Sequence, residues 1–173
     1  MLLMKLNLRA CFAAFVFVAC GFAAAQPAAR SVAPASGKSL CSALTPADFT
    51  RAGVPVLALS QANLDGPEGA YCVYKSSAGK VEFDLFFPAG ANANEIKATE
   101  KTVLGEGGGK YSPVQIAGAD AAQITLSLAD QPANACIVVR SRRAVFDIMI
   151  PGGAKARQQL LGLAQTVLSR LKQ

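Results

Sequence analysis

The chain has 173 residues, with 17 Lys+Arg against 11 Asp+Glu and no histidine. The missing imidazole excludes Ser-His-Asp and Cys-His catalysis, histidine-ligated zinc and histidine-ligated haem. The formal charge of +6 comes without a block of five like charges or an aromatic-interleaved basic stripe, so nothing points to nucleic acid.

Residues 1–25 read as a secretory signal peptide. Lys5 and Arg9 make a basic start, residues 10–19 (ACFAAFVFVA) a short apolar run, and Ala23, Ala24 and Ala25 a small-residue cleavage point before Gln26. The apolar run is too short for a transmembrane span. Of the 17 basic residues, two lie in this leader, which leaves 15 against 11 acids and a mature net charge of +4. An alternative route starts from Phe17-Val18-Ala19-Cys20-Gly21. This segment resembles a lipoprotein processing box, with Phe17 where Leu is usual, and would make Cys20 a lipid anchor. Either route takes the chain out of the reducing cytoplasm, to the periplasm, the medium or an envelope-anchored state.

Residues 26–38 (QPAARSVAPASGK) have no apolar period and read as a disordered linker. A single domain spans 39–173. The 148 residues beyond the leader suffice for a core that does not depend on disulfides.

Thr45-Pro46-Ala47-Asp48 opens a short helix: a cap residue, a proline at the first position and an acid in the first turn. Gly53 ends it, and Leu44 and Phe49 dock it. Residues 54–68 read as loop, with Asn63, Asp65, Gly66, Pro67 and Gly69 as turn formers. Residues 70–75 (AYCVYK) and 80–87 (KVEFDLFF) predict two strands paired as a hairpin. Val81, Phe83, Leu85 and Phe87 face one way, and Lys80, Glu82 and Asp84 face solvent.

Residues 92–104 predict a helix with Ile96, Val103 and Leu104 as its contacts, broken by Gly105 to Gly109. A short strand at 112–116 follows, then one at 121–128 that places Ala122, Ile124, Leu126 and Leu128 on one face. Residues 135–140 and 144–150 form a hairpin across Ser141-Arg142. The last helix, about 154–171, carries Leu160, Leu161, Ala164, Val167, Leu168 and Leu171 at three- and four-residue spacing. The fold class is therefore α+β: an antiparallel sheet of about five strands with a short N-terminal helix, a middle helix and a C-terminal amphipathic helix packed on it.

Catalytic motifs fail on context. Ser77-Ala78-Gly79-Lys80 matches S-x-x-K but falls in a hairpin turn, and no S-D-N or K-T-G partner exists. Residues 105–110 (GEGGGK) resemble a phosphate loop, yet Leu104 and Tyr111 occupy its defining positions. Glu82 and Asp84, about 7 Å apart along one strand face, have the residue types of a glycosidase pair, but two acids on a wet strand face are ordinary. Asp147 is odder, because Val145 and Met149 share its face; it calls for a sheet edge or a basic partner. Arg140, Arg142 and Arg143 crowd a hairpin tip and are the best candidate partner contact. No catalytic residue, metal ligand or cofactor is expected.

Cys41, Cys72 and Cys136 remain in the folded part, without a C-x-x-C pair. We pair Cys41, before the first helix, with Cys72, in the first strand; the bridge restricts the unfolded chain by about 3 kcal/mol. Cys136 then sits as a small apolar residue. Cys72 with Cys136 is the rival pairing if their strands are neighbours.

Residues 40–48 (LCSALTPAD), with Gly53 and with Cys72-Val73-Tyr74, resemble the opening of a group of small exported proteins and lipoproteins of unknown function. There a Cys-x-x-Leu-Thr start precedes a short helix and a glycine, and a second cysteine comes just before an aromatic. Residues 116–122 (IAGADAA) look like the Gly-x-Asp-x-Ala turn of that group. The resemblance implies a sheet backed by helices, similar to the PsbP-like fold, and no catalytic residues. The expectation is an exported, non-enzymatic envelope accessory or protein-interaction domain. Its partner is another protein or a small envelope ligand. The alternatives are a small-ligand carrier and an inhibitor or immunity-type protein.

Overall fold

The computed structural model describes residues 40–64, 69–87 and 92–171. The signal peptide, the linker, Cys20 and the turn formers Asp65 to Pro67 lie outside the described residues. Strand alternation builds one antiparallel sheet from β1 (Val56–Leu64), β2 (Gly69–Ser76), β3 (Val81–Phe86), β4 (Ser112–Pro113), β5 (Ala121–Thr125), β6 (Asn134–Arg140) and β7 (Val145–Pro151). The spatial order is β1-β2-β3-β7-β6-β5-β4. The last strand thus inserts between β3 and β6, at the centre.

The helices are α1 (Pro46–Arg51), α2 (Ala93–Glu106) and α3 (Ala156–Leu171). They lie on both faces of the sheet. On one face Phe49 of α1 and Leu160, Leu163, Val167 and Leu168 of α3 pack with Val81, Phe83 and Leu85 of β3, Ile137 and Val139 of β6, and Phe146, Ile148 and Ile150 of β7. On the other, Ile96 of α2 packs with Cys136, Val138, Val145 and Met149. This two-sided cover explains why β6 and β7 are apolar nearly throughout: strands buried on both faces have no wet side to alternate with. Among the described residues no helix is long and apolar enough to cross a membrane.

The α+β class stands, with seven strands among the described residues where about five were expected. Residues 56–64 are a strand, not loop. VLALSQANL is poor in β-branched and aromatic residues, and most of its side chains are exposed, so no alternation marks it. Cross-strand pairing with β2 along its length, through two register shifts, makes it a strand, and Ser60 Oγ donates to the Val73 carbonyl at 2.9 Å. β5 stops at Thr125, whose hydroxyl donates to the Ser127 carbonyl at 2.8 Å and turns the chain. Leu126 consequently leaves the core and is exposed.

α1 is held by more than its own six residues. Cys41 is bonded to Cys72, with Cα atoms 5.8 Å apart. The Tyr74 hydroxyl, on the same strand, donates to the carbonyl of Leu44, and its ring lies 4.7 Å from that of Phe49. The buried Asp48 carboxylate accepts the Thr45 N–H at 2.8 Å and the Thr45 hydroxyl at 2.6 Å. Arg170 of α3 reaches across with two bonds to Asp48, at 2.6 and 2.9 Å, and a third to the Ala43 carbonyl at 2.9 Å. Both chain ends of the domain are pinned by this one bidentate pair.

Candidate functional site

The β6–β7 hairpin tip and the end of α3 bound a groove of about 660 Å³. Arg142 and Arg143 stand on its rim, where the chain turns between the two central strands. Ser141 and Ala144 close that turn: the Ser141 N–H donates to the Ala144 carbonyl at 2.8 Å, and the Ala144 N–H donates to the Ser141 hydroxyl at 3.2 Å. Phe87, Ala144, Leu168 and Leu171 supply apolar walls, and Asp120 and Arg170 also line it. Arg170 is already committed to Asp48. Arg142 and Arg143 are exposed and form no ion pair with any described residue, so they carry the groove's available positive charge.

The three arginines of the tip do not act together. Strand alternation turns Arg140 onto the α2 face, where its Nε donates to Glu100 at 2.6 Å, both side chains being largely buried. Arg140 therefore fastens α2 to the sheet, while Arg142 and Arg143 line the groove.

A second concavity, about 200 Å³, lies on the α2 face. Its floor follows from register. Tyr71, Asp84, Asp147 and Val138 stand opposite one another across β2, β3, β7 and β6, so their side chains form a row on one face. The next row is Val73, Glu82, Met149 and Cys136. Glu82 and Asp84 are thus not on a solvent face. Helix α2 covers that side of the sheet, and Glu82 is buried. Asp147 lies on the central strand rather than at an edge, and its cross-strand neighbour on β3 is another carboxylate, Asp84.

Glu82 is compensated by Lys80 Nζ at 2.6 Å and by the Tyr71 hydroxyl. Burial, then Asp84, Glu82 and Glu106, push the Asp147 carboxyl well above the usual carboxylate range. Burial, then Asp147, pushes the Cys136 thiol up as well; Cys136 Sγ lies 4.0 Å from Asp147 Oδ2. Burial and Cys136 likewise raise the Tyr111 hydroxyl. For Asp147, Cys136 and Tyr111 the neutral form is favoured, because burial disfavours charge and the neighbouring acidic groups repel it. Among the described residues no group of three or more Cys, Asp or Glu side chains is arranged to hold a metal ion.

The sequence carried one signal for this second site, the misfit of Asp147 on an apolar strand face. It carried none for the pairing with Asp84, which depends on β7 lying beside β3. Comparison of the chain with protein-family models, curated proteins and solved structures finds no match.

Proposed function

We propose that the protein is an exported, non-enzymatic envelope domain that binds another protein through the Arg142–Arg143 groove. One observation carries this reading: two exposed guanidinium groups, unpaired among the described residues, overhang an apolar-walled groove of about 660 Å³. That combination suits a partner segment bearing a carboxylate beside an apolar side chain. Arginine holds carboxylates bidentately, and the apolar walls contribute the buried area. The Cys41–Cys72 bond supports export, since such bonds persist in oxidising compartments. The Cys-x-x-Leu-Thr start and its likeness to small exported proteins support it too.

A hydrolase built on Asp84 and Asp147 is the weaker reading. Its pocket of about 200 Å³ falls below the roughly 300 Å³ at which small-molecule sites begin, and Glu82 is already engaged by Lys80 and Tyr71. A small-ligand carrier is favoured by the volume of the arginine groove, which lies within the range of about 300–1,000 Å³. The test is a set of parallel pull-downs from envelope extract with the wild type, with Arg142→Glu/Arg143→Glu, and with the surface control Arg157→Glu. A stoichiometric protein partner that is lost only with the double variant supports the proposal. Equal recovery from all three overturns it. A small molecule retained by the wild type in native mass spectrometry, with no protein captured, would favour the carrier.

A further inference from the structure

The groove at the hairpin tip holds a charge of the opposite sign to its arginines. Asp120 lines it, is exposed, and forms no ion pair with any described residue, Arg142 and Arg143 included. Its place is fixed by the backbone around it. The Asp120 N–H donates to the Arg140 carbonyl at 2.8 Å, and the Ala119 N–H closes the preceding turn on the Ile116 carbonyl at 3.1 Å. Gly118 in that turn has φ 89°, a left-handed conformation that favours glycine. Gln165 of α3 ties the turn down, its Nε2 donating to the Ala117 carbonyl at 3.3 Å.

Strand order lays the groove's chemistry out in a line. Across this end of the sheet the strands run β5, β6, β7, β3. Asp120 stands where β5 begins, and Arg142 and Arg143 bridge β6 to β7. Phe87 follows Phe86, which pairs with Val145 at the start of β7, so Phe87 stands on the line of β3. Leu171 of α3 adds to the apolar wall. Neighbouring strands lie about 4.8 Å apart, which puts the hairpin tip about 7 Å across the sheet from the line of Asp120, and the line of Phe87 about 7 Å further on. The stations are therefore acid, guanidinium pair and aromatic, evenly spaced. An extended peptide repeats its side chains on one side every second residue, which is also about 7 Å.

The geometry points to the partner's binding motif, an inference that rests on the assignment of this groove to a protein partner. The motif is an extended segment with a basic residue at i, an acid at i+2 and a large apolar residue at i+4, in either chain direction. The base meets Asp120, the carboxylate meets Arg142 and Arg143, and the apolar side chain packs on Phe87 and Leu171. A segment with base and acid exchanged brings like charges together at both polar stations, and that repulsion gives the groove its selectivity. A second copy of this chain does not supply the motif. Nowhere in the sequence is an acid flanked, two residues to either side, by a cation and a large apolar residue.

The test is an NMR titration of the labelled protein at low ionic strength, where rim charges are least screened. Two end-capped peptides of one composition are compared: Ala-Lys-Ala-Glu-Ala-Phe-Ala, and Ala-Glu-Ala-Lys-Ala-Phe-Ala, in which base and acid exchange places. The first should bind about tenfold more tightly, since exposed ion pairs give way to repulsions, and should shift the amides of residues 119–121 and 141–144. Asp120→Lys should turn the preference to Ala-Glu-Ala-Glu-Ala-Phe-Ala. Equal affinities for the two isomers, both lost in Arg142→Glu/Arg143→Glu, overturn the motif and leave the groove as the contact. Binding that Arg142→Glu/Arg143→Glu leaves unchanged removes the groove assignment as well. The motif also falls if Asp120→Lys keeps the wild-type preference, or if neither peptide perturbs the groove. A dimer of the protein in native mass spectrometry that Arg142→Glu/Arg143→Glu disperses would give the groove to a second copy instead.

Discussion

Two aspartates show how one residue type is set to opposite ends by its neighbours. Burial alone would raise the Asp48 carboxyl, but the Arg170 guanidinium, then the Thr45 hydroxyl and N–H, hold it far below the usual carboxylate range. A depressed value contributes stability that is present above the unfolded carboxyl value, about 3.9, and is lost as pH falls through the folded value. We therefore expect Asp48→Asn to cost about 2–3 kcal/mol at neutral pH, as for other broken buried ion pairs. In chemical denaturation the gap from wild type should narrow below about pH 4. Asp147 has the reverse sign. Its folded value is raised, so stability is greatest below the unfolded value and declines as pH rises toward the folded one. Asp147→Asn removes the titrating carboxyl and keeps the shape; it should raise the free energy of unfolding at neutral pH by about 1 kcal/mol or more and flatten its pH dependence. Asp48 was legible in the sequence as a first-turn acid after Thr45-Pro46, though its partner Arg170, 122 residues away, was not. Local spacing reports what a residue does to its own helix and is silent on what arrives from the other end of the chain.

Among the elements, those with strong internal periodicity were read correctly and those shaped by neighbours were not. β6, β7 and α3 carry apolar runs or a three-and-four stripe that only one element type can bury. β1 carries neither; it exists because β2 offers it a ladder of hydrogen bonds. As an edge strand it is broken by two register shifts, which twist it away from further pairing. The placement of α2 opposite α1 and α3 was equally hidden, since a stripe shows that a helix packs and not on which side. The join between Cys41 and Cys72 bears on the least periodic part of the chain. It closes a separation of 31 residues, worth about 3–4 kcal/mol in the chain-entropy estimate. Cys41→Ser/Cys72→Ser should lower unfolding free energy by that amount, with the loss concentrated in α1 and β1. Exchange protection in those two elements, compared with β6 and β7, checks the localisation.

Across the whole molecule, the topology decides which candidate residues meet. Insertion of β7 between β3 and β6 puts the hairpin tip at the centre of one sheet edge, beside the end of α3, and this makes a groove out of an ordinary turn. The same insertion sets Asp147 against Asp84. The exposure of Arg142 and Arg143 could be read from the turn between two apolar strands; the groove could not, because Phe87 follows β3 and Leu168 and Leu171 come from the end of α3, both distant in sequence. The account's central claim is that this groove is where the protein meets its partner. Site-specific photocrosslinking in intact cells tests it most directly, with a benzophenone side chain replacing Ser141 in the groove or Arg157 on the exposed side of α3. The account predicts one discrete crosslinked species from position 141 that is suppressed by Arg142→Glu/Arg143→Glu, and none from position 157. A discrete species from position 157 with none from 141 would contradict it.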